Sequence, residues 1–121
     1  MKREAVLLQI KESIATVTLN RAGSKNAINS QMASELRDIP DEISGDDSLK
    51  AVIVTGGNTF SVGTDREMCT SFERKGDMIK HLSLACVVAA GNRPFIAAIA
   101  GDAFGQGLEL ALACDLNRCS P

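Results

Sequence analysis

The sequence predicts an α/β fold with a largely parallel sheet, and three observations support this prediction. Two apolar runs, Ala5–Ile10 and Ile14–Leu19, flank a short polar turn and are typical of a β-hairpin. The runs Ala51–Thr55 and Pro94–Ala100 are short, continuous and apolar, as are parallel strands buried on both faces. Stretches with helical spacing alternate with these later runs, so helical crossovers between the strands are expected.

The first predicted helix follows a polar loop. Its apolar residues recur at helical spacing, at Met32, Leu36, Ile39 and Ile43. Ser30 is the expected N-cap, and Gly45 is expected to end the helix. Pro40 is expected to kink or shorten it, because proline lacks the N–H that an α-helix needs. A second helix is predicted from Asp77 to about Ala90.

The C-terminal part is predicted to contain a loop, a helix and the beginning of a strand. The glycine-punctuated loop Gly101–Gly107 leads into the helix Leu108–Ala113, and Asp115–Cys119 is expected to begin a further strand. The chain of 121 residues fits one domain, and no linker indicates a second. Because it stops just after a candidate strand has begun, we expect residues 1–121 to be a partial domain.

The composition is that of a folded protein and disfavours several functional classes. Apolar residues make up 45% and charged residues 23%. With a net charge of −2 and neither Trp nor Tyr, nucleic-acid binding is not expected. We expect no signal peptide and no membrane span. The four cysteines form no C-x-x-C pair and only one histidine is present, which favours buried thiols of a cytoplasmic protein over a metal site or disulfides.

Three segments follow one another along the chain. Each consists of an apolar run and the loop or helix after it. They are Val17–Arg21 with Lys25–Asn29, Ala51–Gly56 with Phe60–Asp65, and Ile96–Gly101 with Gly105–Asp115. Together they resemble motifs of the crotonase (enoyl-CoA hydratase/isomerase) family, from about Val6 to the last residue. The resemblance implies a crotonase-like ββα spiral, of which this chain resembles only the N-terminal half, truncated before the C-terminal helical trimerisation region.

The resemblance also implies an oxyanion hole. Crotonases polarise a thioester carbonyl and stabilise the enolate that forms, which requires two N–H donors converging on one oxygen. By the family's pattern these are the backbone N–H groups of Thr64 and Gln106. The family usually has Ala at the first position and Gly or Ala at the second, so larger side chains here can crowd the thioester. The alternative is that Gly105 and Gly107 only shape a strand-to-helix turn.

Glu109 matches the first of the two glutamates that hold a water molecule in enoyl-CoA hydratases. The alternative is a first-turn glutamate that complements the helix dipole. The family's second glutamate would lie about twenty residues further along, by the same resemblance, and so beyond Pro121. A chain with one useful carboxylate is expected to favour proton-shuttle or isomerase chemistry.

The family holds the adenine of CoA with backbone groups of the first loop. The matching residues here are Lys25, Asn26 and Ala27. Arg66 is the candidate for a CoA phosphate, although Glu67 stands where the family often has lysine. Ordinary solvated charge is the alternative for Lys25 and Arg66. His81, a lone histidine in a predicted helix, is expected to be structural, and no chemistry is assigned to Asp115.

The resemblance leaves alternative functions open. The first is an enoyl-CoA hydratase that adds water to a 2-enoyl-CoA, with the CoA thioester as substrate, no further cofactor and no metal. A sibling activity, such as an enoyl-CoA isomerase or a carnitine racemase-like activity, is a second. The third is a non-catalytic fragment that keeps part of the CoA site. In each case the expected partners are acyl-CoA and further copies of the chain in a homo-oligomer.

Overall fold

The computed structural model describes residues 4–65, 87–88 and 93–119, and these form a five-stranded mixed sheet with flanking helices. The strands lie in the sheet in the order in which they occur along the chain. They are β1 (Val6–Lys11), β2 (Ile14–Leu19), β3 (Ala51–Thr55), β4 (Phe95–Ile99) and β5 (Leu116–Cys119). The helices are α1 (Ser30–Ile43) and α2 (Gly105–Ala113), with a short 3-10 turn at Ala22–Ser24.

The strand pairing confirms the predicted sheet. β1 and β2 form an antiparallel hairpin in which Val6 pairs with Leu19, and the remaining pairs β2–β3, β3–β4 and β4–β5 are all parallel. Parallel neighbours require a crossover, and α1 connects β2 to β3 while α2 connects β4 to β5. The predicted helix from Asp77 to about Ala90 lies largely outside the described residues, as do His81 and Arg66.

The inner strands β3 and β4 are buried more on one face than on the other, unlike the prediction. Val52 and Val54 of β3 are fully buried, whereas the alternate residues of the strand are half-buried, and β4 shows a similar alternation with Phe95 and Ala97 inside. The prediction of complete burial on both faces is therefore wrong for the described residues. The period-2 alternation of side chains places every second residue on the less covered face.

Helix α1 begins and continues differently from the prediction. Asn29, not Ser30, is the N-cap, and its side-chain oxygen accepts a hydrogen bond of 2.9 Å from the N–H of Met32. The expected shortening at Pro40 is also wrong, because the helix continues to Ile43 and ends before Gly45. Pro40 removes one helical hydrogen bond, but Pro40 and Ile43 are both buried, and this burial offsets the loss.

A buried carboxylate of α1 holds the start of the sheet. Glu35 is 5% exposed, and its carboxylate accepts hydrogen bonds from the N–H groups of Glu4, Ala5 and Val6 at 2.8 to 3.2 Å. A buried charge must be hydrogen-bonded to be tolerated, and the N–H donors of three consecutive residues meet that requirement. Glu35 therefore fixes α1 against the chain entering β1.

Helix α2 begins three residues before its predicted start. Gly105, Gln106 and Gly107, predicted as loop, form its first turn, and Phe104 is the N-cap. Gly105 has a φ of +51°, a left-handed value that favours glycine. Leu110 and Ala111 pack into the core, while Leu108 and Leu112 remain exposed. The helix thus turns one face to the sheet and brings the glycine-containing segment to the carboxyl edge of β4.

Candidate functional site

Two loops at the carboxyl ends of β3 and β4 pack side by side. Ser61, in the loop after β3, pairs with Ala103, in the loop after β4, through a parallel bridge. Its N–H donates to the carbonyl of Asp102 at 3.1 Å, and its own carbonyl accepts from the N–H of Phe104 at 2.9 Å. Carboxyl ends of adjacent parallel strands are a common location for ligand sites in α/β proteins. The two loops form the floor of the candidate site.

Glycines allow the two loops to approach closely. A Cβ at position 107 would lie 2.6 Å from the Cβ of Ser61, and a Cβ at position 63 would lie 2.9 Å from the carbonyl oxygen of Phe104 and 3.4 Å from the nitrogen of Gln106. Gly63 also has a φ of +95°, which side-chain-bearing residues rarely adopt. Gly63 and Gly107 therefore bring residues 63–64 against the N-terminus of α2.

The N–H of Thr64 is directed away from Ile28, the residue with which Thr64 forms a parallel bridge. Gly63 accepts a hydrogen bond from the N–H of Ile28 at 2.8 Å, and Asp65 donates to the carbonyl of Ile28 at 2.7 Å. In an extended backbone successive N–H groups point to opposite sides, so the intervening Thr64 N–H points away from Ile28. Within the described part of the chain this N–H has no acceptor.

The N–H of Gln106 likewise has no acceptor among the residues that the structure describes. In the first turn of α2 the N–H groups of Gly107 and Leu108 donate to the carbonyl of Phe104 at 2.9 and 3.2 Å. Gln106, the second residue of the helix, has no such acceptor among the described residues, as expected for the first amides of a helix. The positive end of the helix dipole lies at this point and favours a negative charge nearby.

The two unbonded amides are close together. The 3.4 Å between the Gly63 Cβ position and the nitrogen of Gln106 places the nitrogens of Thr64 and Gln106 at most about 7 Å apart, given ordinary bond lengths. One oxygen can accept from both when the nitrogens are no more than about 6 Å apart. The arrangement is compatible with a shared acceptor, such as a carbonyl oxygen that gains negative charge.

Glu109 lies on the same helix, one turn beyond the unbonded amides. It is exposed, and no hydrogen bond or ion pair involves its carboxylate among residues 4–65, 87–88 and 93–119. Its helix neighbours Leu108 and Leu112 are exposed apolar residues. The structure therefore places Glu109 near the candidate oxyanion hole but does not fix the direction of its carboxylate with a second group.

The loop predicted to bind adenine is held by its own backbone and by one side chain. Lys25 and Asn26 both have left-handed backbone conformations, with φ values of 53° and 56°. The N–H and carbonyl groups of residues 25–27 all have partners within the protein. Each carbonyl has a second lone pair, so ligand binding through these oxygens stays a prediction. The side chain of Lys25 is exposed.

Asn26 has a structural role that the sequence did not indicate. The residue is 1% exposed, and its side-chain nitrogen donates to the carbonyls of Gly56, Thr59 and Phe60 at 2.7 to 3.2 Å. Its side-chain oxygen accepts from the N–H of Arg21 at 2.8 Å. Asn26 thus joins the first loop to the loop after β3, from which Thr64 projects.

Ser61 and Arg21 were also missed as site-forming residues. The Ser61 hydroxyl donates to the carbonyl of Asn26 at 2.8 Å and accepts from the N–H of Gly63 at 3.1 Å. Arg21 donates to the carbonyl of Ala27 and forms an ion pair with Asp65 at 3.5 Å. These residues lie within the three motif segments, which is the signal that could have identified them. Arg66, the predicted phosphate ligand, lies outside the described residues.

Other features of the described residues add no second site. No helix among them is long and apolar enough to cross a membrane. In that part of the chain no cluster of three or more His, Cys, Asp or Glu side chains has an arrangement that could hold a metal ion. The loops after β3 and β4 are therefore the candidate functional site.

Comparisons with known proteins identify the family of this chain. The model of the enoyl-CoA hydratase/isomerase family matches residues 9–120. The "Probable enoyl-CoA hydratase echA8" of Mycobacterium leprae is 36% identical over 118 residues, covering 96% of this chain and 46% of that protein. The short-chain-enoyl-CoA hydratase of Clostridium acetobutylicum is 34% identical over 131 residues, covering 99% and 48%.

A solved structure shows the same fold. An enoyl-CoA hydratase/isomerase from Xanthobacter autotrophicus superimposes with a TM-score of 0.88 at 30% identity, covering 98% of this chain and 46% of that one. The chain spans about half the length of the curated relatives it matches, consistent with the N-terminal half of a crotonase-fold domain. Because the family model covers nearly all of the chain, the protein belongs to the enoyl-CoA hydratase/isomerase family.

Proposed function

We propose that this chain forms part of an acyl-CoA site of the enoyl-CoA hydratase type, in which an oxyanion hole stabilises the enolate of a 2-enoyl-CoA thioester during syn addition of water. The observation that supports the proposal is the pair of unbonded amides, Thr64 and Gln106, held together by Gly63. Backbone donors fixed in place before the substrate binds stabilise developing charge without having to reorganise.

Glu109 is the proposed acid-base group. It lies one helical turn from Gln106, within reach of the carbons next to a carbonyl bound at the amides, and its exposed carboxylate can exchange a proton with water. In the proposed reaction a water oxygen bonds to C3 of the enoyl group as Glu109 accepts a proton from that water. The double-bond electrons move to the thioester oxygen, and C2 then takes up the proton that Glu109 accepted, which restores the thioester carbonyl and the carboxylate.

The remaining parts of the proposal concern CoA and the assembly. The backbone groups of Lys25, Asn26 and Ala27 are proposed to bind the adenine of CoA. The side chain of Arg66 is proposed to bind a phosphate of CoA. No cofactor beyond the CoA thioester is proposed, and a cytoplasmic homo-oligomer is the proposed assembly. The alternatives of an isomerase or a racemase-like activity use the same oxyanion hole and differ in where the proton is returned.

The test is hydration of crotonyl-CoA, followed as loss of the enoyl-thioester absorbance, by the unaltered chain and by Glu109→Gln. We expect the variant to lose at least about 100-fold in kcat, the usual effect of removing an acid-base group, with KM little changed. Glu42→Gln, an exposed glutamate on α1, is the matched control and should retain full activity. Equal turnover by the unaltered chain and Glu109→Gln would contradict the role of Glu109.

A further inference from the structure

The two amides of the candidate oxyanion hole are held by different parts of the chain. Gln106 belongs to the first turn of α2. Thr64 belongs to a segment bonded to the first loop, in which the N–H of Val62 donates to the carbonyl of Lys25 at 3.2 Å. Among the described residues, no hydrogen bond joins residues 62–64 to α2 or to the loop after β4. The separation of the two amides therefore depends on how the first loop lies relative to α2.

Ile28, in the first loop, sets the direction of the Thr64 N–H. The carbonyl of Gly63 and the N–H of Thr64 belong to one planar trans peptide and point in opposite directions. That carbonyl accepts from the N–H of Ile28 at 2.8 Å, and the N–H of Asp65 donates to the carbonyl of Ile28 at 2.7 Å. Ile28 directly follows Ala27, one of the residues proposed to bind adenine. A displacement of this part of the loop would therefore shift or turn the amide of Thr64.

Ser61 lies where the two parts of the site meet. It is fully buried, and its backbone is hydrogen-bonded to the loop after β4, which leads into α2. Its hydroxyl donates to the carbonyl of Asn26 at 2.8 Å and accepts from the N–H of Gly63 at 3.1 Å. One side chain thus joins the first loop to the residue before Thr64, while its own backbone stays bonded to the other loop.

The first loop is open to a ligand on both sides of Asn26. Lys25 is exposed and Ala27 is half-buried, whereas Asn26 is 1% exposed and its carbonyl is directed inward to Ser61. Lys25 and Asn26 have left-handed backbone conformations, with φ values of 53° and 56°. Such conformations are costly for residues with side chains and persist where neighbouring contacts hold them. The shape of the loop therefore depends on its hydrogen bonds with Ser61 and Val62.

We propose that the first loop and residues 61–65 act as one unit, through which the nucleotide end of CoA positions the Thr64 N–H and strengthens the oxyanion hole. Ser61 is the positioning residue of this unit. The inference rests on the proposed function, because it takes adenine to lie on the first loop and the thioester oxygen to lie at the two amides. It gives the nucleotide a role besides affinity, since binding energy from a remote part of a substrate can improve alignment at the reacting group.

The test separates the two ends of CoA. Crotonyl-pantetheine, labelled with carbon-13 at the thioester carbonyl, is titrated into Glu109→Gln, which prevents turnover, with and without saturating adenosine diphosphate. We expect the diphosphate to tighten binding of the thioester about fivefold, as is usual for two coupled sites, and to increase the downfield displacement of the bound resonance. Because coupling is reciprocal, the thioester should tighten binding of the diphosphate by the same factor.

Ser61→Ala removes the hydroxyl that joins Asn26 to Gly63 and keeps the backbone contacts. We expect adenosine diphosphate to leave the affinity for crotonyl-pantetheine unchanged in this variant. A merely structural role of Ser61 would weaken both affinities but would leave the factor between them as it was. Ser44→Ala is the matched control, because its hydroxyl also donates to a backbone carbonyl, at 2.9 Å, but at the end of α1. The control should retain the full factor.

Arg21→Lys is the second variant if Ser61→Ala does not fold. The guanidinium of Arg21 donates to the carbonyl of Ala27 and pairs with the carboxylate of Asp65 at 3.5 Å, so it also joins the first loop to the segment of Thr64. The single ammonium group of lysine lacks the fork of donors that makes both contacts. We expect this variant to reduce the coupling between the two ligands as well.

A bound, downfield-shifted thioester whose affinity is unaffected by bound adenosine diphosphate would overturn this inference and leave the oxyanion hole intact. Coupling that persists at full size in Ser61→Ala would also overturn it, because the effect would then not pass through the Ser61 hydroxyl. If the diphosphate did not bind, the adenine assignment and this inference would fail together. If the thioester did not bind, the proposed function would fail with them.

Discussion

At the scale of single residues, two side chains and two glycines determine the shape of the candidate site. Asn26 and Ser61 connect the first loop to the loop after β3, and Gly63 and Gly107 allow that loop to contact the start of α2. None of these four residues is proposed to donate to the thioester oxygen or to transfer a proton, although the backbone of Asn26 is also proposed to bind adenine. They determine where the N–H groups of Thr64 and Gln106 lie, so changes to them should affect ligand binding through geometry.

Gly107→Ala tests this packing. The new Cβ would lie 2.6 Å from the Cβ of Ser61, so α2 or the loop must shift, and we expect a destabilisation of about 1–3 kcal/mol. The measurement is urea unfolding, with acyl-CoA affinity as a second readout. Gly45→Ala is the control, because no atom lies within 4 Å of its Cβ position. An unaltered midpoint and affinity for Gly107→Ala would show that the contact does not constrain the site.

Cys114 provides a chemical probe of the same helix. Burial raises the pKa of its thiol to about 11, with a further contribution from the charge of Asp115. Because the thiolate is the reactive form, we expect iodoacetamide at pH 8 to modify exposed Cys119 readily and Cys114 only after unfolding. Peptide mass spectrometry gives the extent of labelling at each site. Comparable labelling of both cysteines in the folded protein would contradict the assigned burial.

The same thiol gives a pH dependence of stability. The folded state holds the Cys114 proton more tightly than the unfolded state, in which the pKa is about 8.5. The protonated Cys114 thiol therefore contributes fully to the free energy of unfolding when the pH is below its unfolded-state pKa. This contribution is lost as the pH rises toward 11. We expect unfolding curves measured from pH 8 to 10.5 to show a smaller decline in stability for Cys114→Ala than for the unaltered chain.

At the scale of the elements, helix ends explain most of the differences between prediction and structure. The beginning of α1 was predicted one residue late because Asn29 and Ser30 are both good N-cap residues. In the structure, the hydrogen bond to Met32 and the extended backbone of Asn29 distinguish them. The start of α2 was predicted three residues late because glycines usually indicate a loop. Here the close approach to Ser61 requires a glycine within the first turn.

Asn29→Ala tests the cap assignment. Loss of the hydrogen bond to the N–H of Met32 should lower the free energy of unfolding by about 1 kcal/mol. Ser30→Ala is the matched control, since Ser30 is exposed and is the first residue of α1. We expect that change to alter stability by less than about 0.5 kcal/mol. If Ser30→Ala lowered the free energy of unfolding more than Asn29→Ala does, Ser30 would be the N-cap.

At the scale of the whole molecule, periodicity and motif order predicted the architecture well. The hairpin, the parallel strands and the position of the two loops follow from apolar runs and from the family's segment order. The sequence could not reveal that Asn26 and Ser61 connect these loops, because such hydrogen bonds join residues 30 and 35 positions apart. Nor could it reveal the unbonded oxygen of Gln106, since hydrogen bonding depends on the packed environment.

The most direct test of the proposed oxyanion hole is the carbon-13 resonance of crotonyl-CoA labelled at the thioester carbonyl, measured free and bound to this chain. Two N–H donors polarising the carbonyl should move the resonance downfield on binding, and Gly63→Ala, which disturbs the approach of Thr64 to Gln106, should reduce that shift. The shift should persist in Glu109→Gln, because that carboxylate is not an oxyanion donor. A bound thioester whose carbonyl resonance stays at its free value would contradict the proposal that these two amides form an oxyanion hole.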